Sequence, residues 1–331
     1  MTKISFEQKL ERFRVQINNR LIVNFSKRKP SSLYSPLIYF LKSGGKRLRA
    51  ILVLLTAKSV NRNLKNLPFN QAIAIELLHN FTLIHDDIMD NSDKRHNQLT
   101  LHKKYDISTA ILAGDALLAI AYEFLDKGLN KNSVAIYEEF TKGLRVVCEG
   151  QALDKEFEIS KSVTLNDYFK MISMKTAALI KTTCRIGALV SSEKIDKNDL
   201  NKFGLFGEYL GIAFQIQDDL LDIIGSEKLF GKTKALDLLE GKKTFLLIKA
   251  LSLAQGKDLD KLKKLIENKG ISSDEVKDYI NLYRKIGVIE LTQKEIDHYN
   301  QLAKNVLFDL SKKYDVSNLN QFLEYVINRQ Y

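Results

Sequence analysis

The sequence predicts an all-α protein, and three observations carry that prediction. Proline occurs only at positions 30, 36 and 68, so nothing breaks long helices beyond Pro68. Apolar residues recur at helical spacing in one segment after another. No stretch alternates apolar and polar residues with a period of two between turn residues, so no sheet is expected. At 331 residues and 45% hydrophobic composition the chain buries a large core. No low-complexity linker divides it, which predicts a single helical domain over residues 1–331, with an amphipathic helix at 1–25 as part of it.

Phe6, Leu10, Phe13, Ile17 and Leu21 draw one apolar stripe along that opening helix, and its other face is basic. The stripe predicts docking on the body or on a second subunit, with weak peripheral membrane contact as the lesser alternative. Residues 27–36 read as a polar connection bounded by proline. Residues 42–49 are basic and interrupted by glycine, and they lead into the apolar run Ala50 to Ala57. Residues 71–90 make a largely apolar helix of about five turns that ends in acid, and 91–98 read as a polar loop. Helical periodicity continues over 106–128, 133–157, 165–190, 197–224 and 242–255. Ser272 with Glu275 forms a capping box that opens a further helix carrying Val276 and Ile280.

Charge and cysteine narrow the function classes. The net charge of +11 is concentrated at one end: residues 1–60 hold 13 Lys and Arg against Glu7 and Glu11, and the remainder balances at 38 of each sign. Such a patch suits an anion. Aromatic residues are not interleaved with the bases and no reading motif is present, so nucleic acid is not the expected partner. Cys148 and Cys184 lack any pairing or metal spacing, which fits a reducing compartment. No uncharged apolar run reaches the ~18 to 20 residues of a membrane span, and the first 20 residues lack a secretory pattern. A cytoplasmic protein is expected.

The strongest internal signal is a seven-residue repeat. Ile84-His85-Asp86-Asp87-Ile88-Met89-Asp90 is matched 132 residues later by Ile216-Gln217-Asp218-Asp219-Leu220-Leu221-Asp222. In each, the first and last aspartates lie at i and i+4 and share a helix face. Like charges at that spacing repel, and a helix C-terminus adds an unfavourable dipole. Making this choice twice predicts a cation to hold. Oxygen-only ligands without cysteine or paired histidine point to a hard ion, Mg²⁺, which takes one or two carboxylates with phosphate and water. Two such boxes predict several ions gripping one polyphosphate. Gly44-Gly45-Lys46-Arg47-Leu48-Arg49 supplies complementary charge, with Lys46 and Arg49 on one face. It lacks the spacing of a nucleotide P-loop.

From the glycine-rich basic motif to the C-terminus the chain resembles the trans-prenyltransferases, the isoprenyl diphosphate synthases of the polyprenyl synthetase family. The paired boxes are that family's signature. Gly114-Asp115, Glu149-Gly150-Gln151, Lys175-Thr176, Phe214-Gln215, and Lys232 followed ten residues on by Lys242 fall in its order and spacing. The resemblance implies an all-helical bundle around a deep cavity, usually a homodimer. It also implies a Mg²⁺-dependent reaction, with three ions per active site once substrate is bound. An allylic diphosphate (dimethylallyl, geranyl or farnesyl) ionises, and isopentenyl diphosphate attacks the cation to give a chain five carbons longer. Asp86, Asp90 and Asp218 are then the leading metal ligands, with Asp87, Asp219 and Asp222 in support. Lys46, Arg49 and His79 match the isopentenyl diphosphate contacts. Arg95, Lys175, Lys232 and Lys242 match those on the allylic diphosphate. Thr176 and Gln215 match groups whose oxygens lie near the carbocation.

The chain departs from the family pattern at several places. Where the family has a second arginine after the first box, an isopentenyl diphosphate contact, this chain has His96; a neutral imidazole offers one donor in place of a charged fork. Ala50 replaces a usual proline, and Ala235-Leu236 stands where glycines often precede Asp237. Phe81 and Thr82, five and four residues before Asp86, are the expected chain-length residues. One large ring beside one small residue predicts geranylgeranyl diphosphate as product, with farnesyl or longer diphosphates as alternatives. A terpene cyclase or head-to-head enzyme fits these motifs less well. A catalytically weak regulatory subunit of a heteromeric synthase is the alternative that His96 keeps open.

Overall fold

The computed structural model describes residues 5–160, 162–225 and 235–328. Two compact units share the chain. Unit 1 takes Met1–Thr141, Thr182–Phe203 and Leu310–Phe322; unit 2 takes Lys142–Lys181, Gly204–Asp309 and Leu323–Tyr331.

In unit 1, α1 (Phe6–Ser26) opens on a capping box in which Ser5 and Gln8 bond each other's backbone. Its stripe is buried at Leu10, Phe13, Ile17, Leu21 and Phe25. The connection after it is shorter than the sequence predicts, because α2 (Ser31–Lys42) starts right after Pro30 and carries Pro36 within it. Pro36 is the sixth of the twelve residues of α2, so the helix forgoes the one amide bond that would run back to the Ser32 carbonyl. Every residue from Ala50 to Ala57 in α3 (Leu48–Val60) is buried, the pattern of a helix enclosed on all sides. α4 (Phe69–Met89) ends on Asp90 at its C-cap. One small ribbon departs from the expected absence of sheet: β1 (Lys94–Arg95) pairs antiparallel with β2 (Gln98–Leu99). Two-residue strands are too short to show an alternating pattern. Between them His96 and Asn97 have φ of 48° and 61°, the left-handed pair that a tight hairpin turn requires.

α5 (Leu101–Lys104) leads to α6 (Ile107–Asp126), which is capped by Asp106 and packs along α4. α6 is long and apolar enough to cross a bilayer by length and composition. Ala113, Leu117, Ile120, Ala121 and Phe124 are buried on one face of it, while Ile107, Ile111 and Leu112 are exposed.

α7 (Ser133–Ile159) begins in unit 1 and ends in unit 2. The helix predicted over 165–190 is three pieces: α8 (Leu165–Ile172), a π-helical turn at Ser173–Ala177, and α9 (Ala178–Ser191). α10 (Lys197–Ile224) follows. Then come α11 (Leu236–Leu239), α12 (Phe245–Leu253) and α13 (Gly256–Glu267). Ser272 and Glu275 form the predicted capping box, first around a single 3₁₀ turn at Ser273–Glu275, and α14 (Val276–Ile286) continues from it. α15 (Val288–Ser311) and α16 (Ser317–Ile327) close the chain. The core of unit 2 gathers Tyr168, Ile172, Ile216, Leu220, Phe245, Leu262 and Tyr283.

Candidate functional site

In unit 1 the first box lies over the last turn of α4. Asp87 is 1% exposed, and the hairpin delivers Arg95 to it: Nε donates to both carboxylate oxygens at 2.9 and 3.0 Å, and Nη2 lies 2.7 Å from Oδ1. Burial pushes the Asp87 carboxyl up from the ordinary aspartate value, against the pull of Arg95. The middle aspartate is therefore tied into the protein, while Asp86 and Asp90 stand at i and i+4 on one helix face, a spacing suited to an ion.

The basic motif joins the same unit. Arg49 Nη1 lies 3.0 Å from His79 Nε2. A guanidinium only donates, so Nε2 accepts and the imidazole carries its proton on Nδ1. Enclosure, then the charges of Arg49, Arg95, Arg47 and His96, hold His79 well below the ordinary imidazole value, so it is neutral at neutral pH. The tip of the hairpin reaches the glycine loop: a methyl group built on Gly45 would lie 3.9 Å from the His96 ring. Lys46 is exposed. Thus Arg49, His79, Arg95 and His96 share one neighbourhood. The Thr82 hydroxyl donates to the His79 carbonyl within its own helix at 2.8 Å. Phe81 is buried, with its ring 4.6 Å from that of His85. Gly114 makes room for His85, since a side chain there would overlap the imidazole.

In unit 2 the π turn presents Lys175 and Thr176. Two glycines set it: a Cβ on Gly150 of α7 would collide with the Lys175 backbone nitrogen, and one on Gly211 of α10 would sit 2.5 Å from the Ala177 Cα. Such single-turn bulges recur at functional sites because they re-aim side chains out of helical register. Lys175 Nζ lies 2.5 Å from Asp154. Thr176 donates to Gln215 Oε1 at 2.7 Å, and Gln215 Nε2 donates to Asp219 Oδ1 at 2.9 Å. Tyr168 donates to the other oxygen of Asp219 at 2.7 Å. Asp219, 6% exposed, is thus occupied on both oxygens, as Asp87 is in the first box.

Asp222 is held differently, by the backbone amides of Leu236 at 3.2 Å and Asp237 at 3.0 Å. Burial and the neighbouring Asp237 carboxylate push Asp219 up to about 7 and Asp222 up to about 6. Lys242 Nζ stands 3.9 Å from Asp237. Ala235 takes a left-handed φ of 57°, the conformation that favours glycine, at a position where the family often has one. Lys232 lies outside the described residues.

The donor set fits Mg²⁺. It is oxygen-only, and carboxylates whose proton affinity is raised by crowding gain from a divalent cation. Among the described residues no three acid, histidine or cysteine side chains converge on one point, so phosphate and water would complete any shell. The buried Gln151 amide has no hydrogen-bond partner among the described residues, a cost that water or a polar ligand relieves. Sequence reasoning missed Asp154, Asp237 and Tyr168. Asp154 was findable, one helical turn beyond Gly150 on α7; nothing in the sequence singles out Tyr168.

Residues 30–283 match the polyprenyl synthetase family. The chain is 35% identical over 318 residues to a geranylgeranyl diphosphate synthase of Sulfolobus acidocaldarius, covering 94% of this chain and 95% of that one. A geranylgeranyl diphosphate synthase of Methanosarcina mazei is 39% identical over 209 residues, 62% of this chain and 63% of that one. Among solved structures, one titled geranylgeranyl pyrophosphate synthase superimposes with a TM-score of 0.88 at 32% identity, covering 97% of this chain and 99% of that one. A geranylgeranyl pyrophosphate synthetase from Pyrococcus horikoshii gives 0.85 at 30% identity, covering 98% of this chain and 99% of that one. With the match spanning well over half its length and both aspartate boxes intact, the chain belongs to the polyprenyl synthetase family.

Proposed function

We propose that this protein is a prenyltransferase that condenses isopentenyl diphosphate head-to-tail with an allylic diphosphate, giving geranylgeranyl diphosphate. The observation that carries the reading is the near-complete alignment with a relative of that name, joined to two intact boxes. Dimethylallyl, geranyl and farnesyl diphosphates are the candidate starters.

In the reaction the allylic C1–O bond breaks, with its electron pair leaving on diphosphate. The terminal double bond of isopentenyl diphosphate forms the new C–C bond, and loss of one proton restores a double bond. Asp86, Asp90 and Asp218 would hold Mg²⁺, whose charge would neutralise the leaving diphosphate. Asp87 and Asp219 fix the two boxes through Arg95, Tyr168 and Gln215. Lys175, Lys232 and Lys242 supply cationic contacts for the allylic diphosphate, with Arg95 lending charge from its place on Asp87. Lys46, Arg49 and His79 hold isopentenyl diphosphate, with His96 beside them. The relay from Thr176 through Gln215 to Asp219 orients the amide oxygen toward Thr176, so both oxygens are preorganised for a developing cation.

The full chain 1–331 acts as one catalytic domain, supported by helices α7, α10 and α15 that pass between the units without a linker. A homodimer is supported by the exposed apolar face of α6 at Ile107, Ile111 and Leu112. Cytoplasmic residence is supported by the two free thiols, Cys148 and Cys184.

The test is incubation of the purified chain with Mg²⁺, isopentenyl diphosphate and each starter in turn, with the dephosphorylated products identified by chromatography. A dominant C20 product is expected. C15 or a longer ladder keeps the activity and rejects the product; no product from folded protein rejects the enzyme in favour of a regulatory subunit.

A further inference from the structure

We propose that Arg47, the inward-facing base of the Gly44–Arg49 motif, is a positioning residue that sets the isopentenyl diphosphate site. The inference rests on the reading above, in which Lys46 and Arg49 hold that substrate. Three bases in four residues look alike in sequence, yet the structure separates them. Lys46 is exposed, Arg49 is half-buried, and Arg47 is 4% exposed.

The backbone causes the separation. Gly44 and Gly45 have φ of 98° and 115°, and Arg47 itself takes a left-handed φ of 53° as the N-cap of α3. An L-residue adopts that conformation only when its surroundings hold it there. Three helices do so through one guanidinium. Nε donates to Asn18 Oδ1 of α1 at 2.9 Å, Nη1 to Glu76 Oε1 of α4 at 3.0 Å, and Nη2 to the Leu41 carbonyl of α2 at 2.7 Å. The Arg47 and Glu76 side chains are 2% and 4% exposed. The second Glu76 oxygen is buried without a hydrogen-bond partner among the described residues, so the pairing with Arg47 is its main compensation.

Glu76 and His79 stand three apart on one face of α4. Glu76 receives Arg47, and His79 receives Arg49 at 3.0 Å. The start of α3 is therefore pinned to α4 at two points, and the inner pin fixes where the outer one presents its guanidinium. A lysine cannot replace the inner pin, because an ammonium lacks the planar fork that reaches three acceptors in fixed directions. α1, which carries no proposed substrate contact, is tied to the site through Asn18. Loosening this cluster weakens isopentenyl diphosphate binding and leaves the allylic side and the chemical step nearly unchanged.

The test measures isopentenyl diphosphate binding by calorimetry, KM for each substrate, and kcat, in the full chain and in Arg47→Lys, Glu76→Gln, Asn18→Ala and Arg49→Ala. Arg47→Lys and Glu76→Gln are expected to raise KM for isopentenyl diphosphate about tenfold, with KM for the allylic substrate changed less than about twofold. Asn18→Ala is expected to raise it about threefold, the loss of one hydrogen bond. It removes no buried charge, so it carries the test should the other two fail to fold. If Arg49→Ala weakens isopentenyl diphosphate while the folded Arg47, Glu76 or Asn18 variants do not, the positioning role is overturned and the substrate site stands. If Arg49→Ala changes nothing, or the parent binds no isopentenyl diphosphate, the underlying site reading fails instead.

Discussion

Arg95 clamps Asp87, with Nε within 3.0 Å of both carboxylate oxygens, and this ties the middle aspartate of the first box into the protein. The second box repeats the arrangement with Tyr168 and Gln215 on Asp219. Asp87→Asn keeps the shape but loses a charge-assisted pair, a cost of about 1.5–3 kcal/mol. Urea unfolding is expected to show that loss, and Asp86→Asn and Asp90→Asn are expected to raise the Mg²⁺ concentration needed for half-maximal activity more than Asp87→Asn does. An equal effect of all three variants on that concentration would sink the division of labour.

The π turn depends on side-chain-free surfaces at Gly150 and Gly211. A methyl group on Gly211 meets the Ala177 Cα at 2.5 Å, so backbone has to move. Gly211→Ala is expected to cost about 1–3 kcal/mol and to lower kcat more than tenfold, because displacement of Lys175 and Thr176 by about 1 Å removes their alignment. KM for isopentenyl diphosphate, bound by other residues, is expected to hold. Steady-state kinetics with a crystal structure of the variant check both; an intact turn with full activity counts against the argument.

Much of this was legible in the sequence because it is chemically expensive. Three aspartates in five residues, repeated, repel one another along a helix, and so announce an ion. The long helices were legible from periodicity and the absence of proline beyond Pro68. What escaped reading was decided by backbone geometry that composition does not encode. The π turn has ordinary helical residues, and only the distant Gly150 and Gly211 make it. The hairpin is too short to alternate, although His96-Asn97 is the kind of pair that tolerates a left-handed turn. Lys46 and Arg49 are legible as one face of the basic motif, but the inward course of Arg47 follows from its left-handed backbone, which the sequence does not encode.

His79 gives the acid limb of stability a definite sign. Its folded-state proton affinity lies well below the ordinary value of 6.5, so the unfolded chain takes up the proton first. Stability is full above pH 6.5 and falls as pH drops through 6.5 toward the folded value, by about 1.4 kcal/mol per pH unit for this one group. His79→Gln removes the contribution, so the difference in unfolding free energy between variant and parent is expected to change between pH 7.5 and 5.5. Parallel pH curves for the two proteins would show that His79 titrates normally.

His96→Arg restores the guanidinium that the family pattern places at the hairpin tip. His96 is exposed and near Gly45, so a longer side chain meets no packing barrier. A guanidinium fork in place of an imidazole is expected to lower KM for isopentenyl diphosphate about three- to tenfold, with the allylic KM unchanged. Identical affinity in the two proteins would mean that the tip does not contact this substrate.

Phe81 tests the product assignment. Its ring is buried one turn before His85, and the two rings pack at 4.6 Å while Gly114 gives the imidazole its space. The position is therefore fixed from one side, and truncation opens volume that neighbouring rings do not readily fill. Phe81→Ala is expected to cost about 3–5 kcal/mol, so the assay is run below the variant's melting range. There it is expected to yield products longer than those of the parent. Phe81→Leu, which removes less volume, is expected to give an intermediate distribution. A folded Phe81→Ala protein with the parent's product profile would assign the ring to packing alone and move the chain-length limit elsewhere.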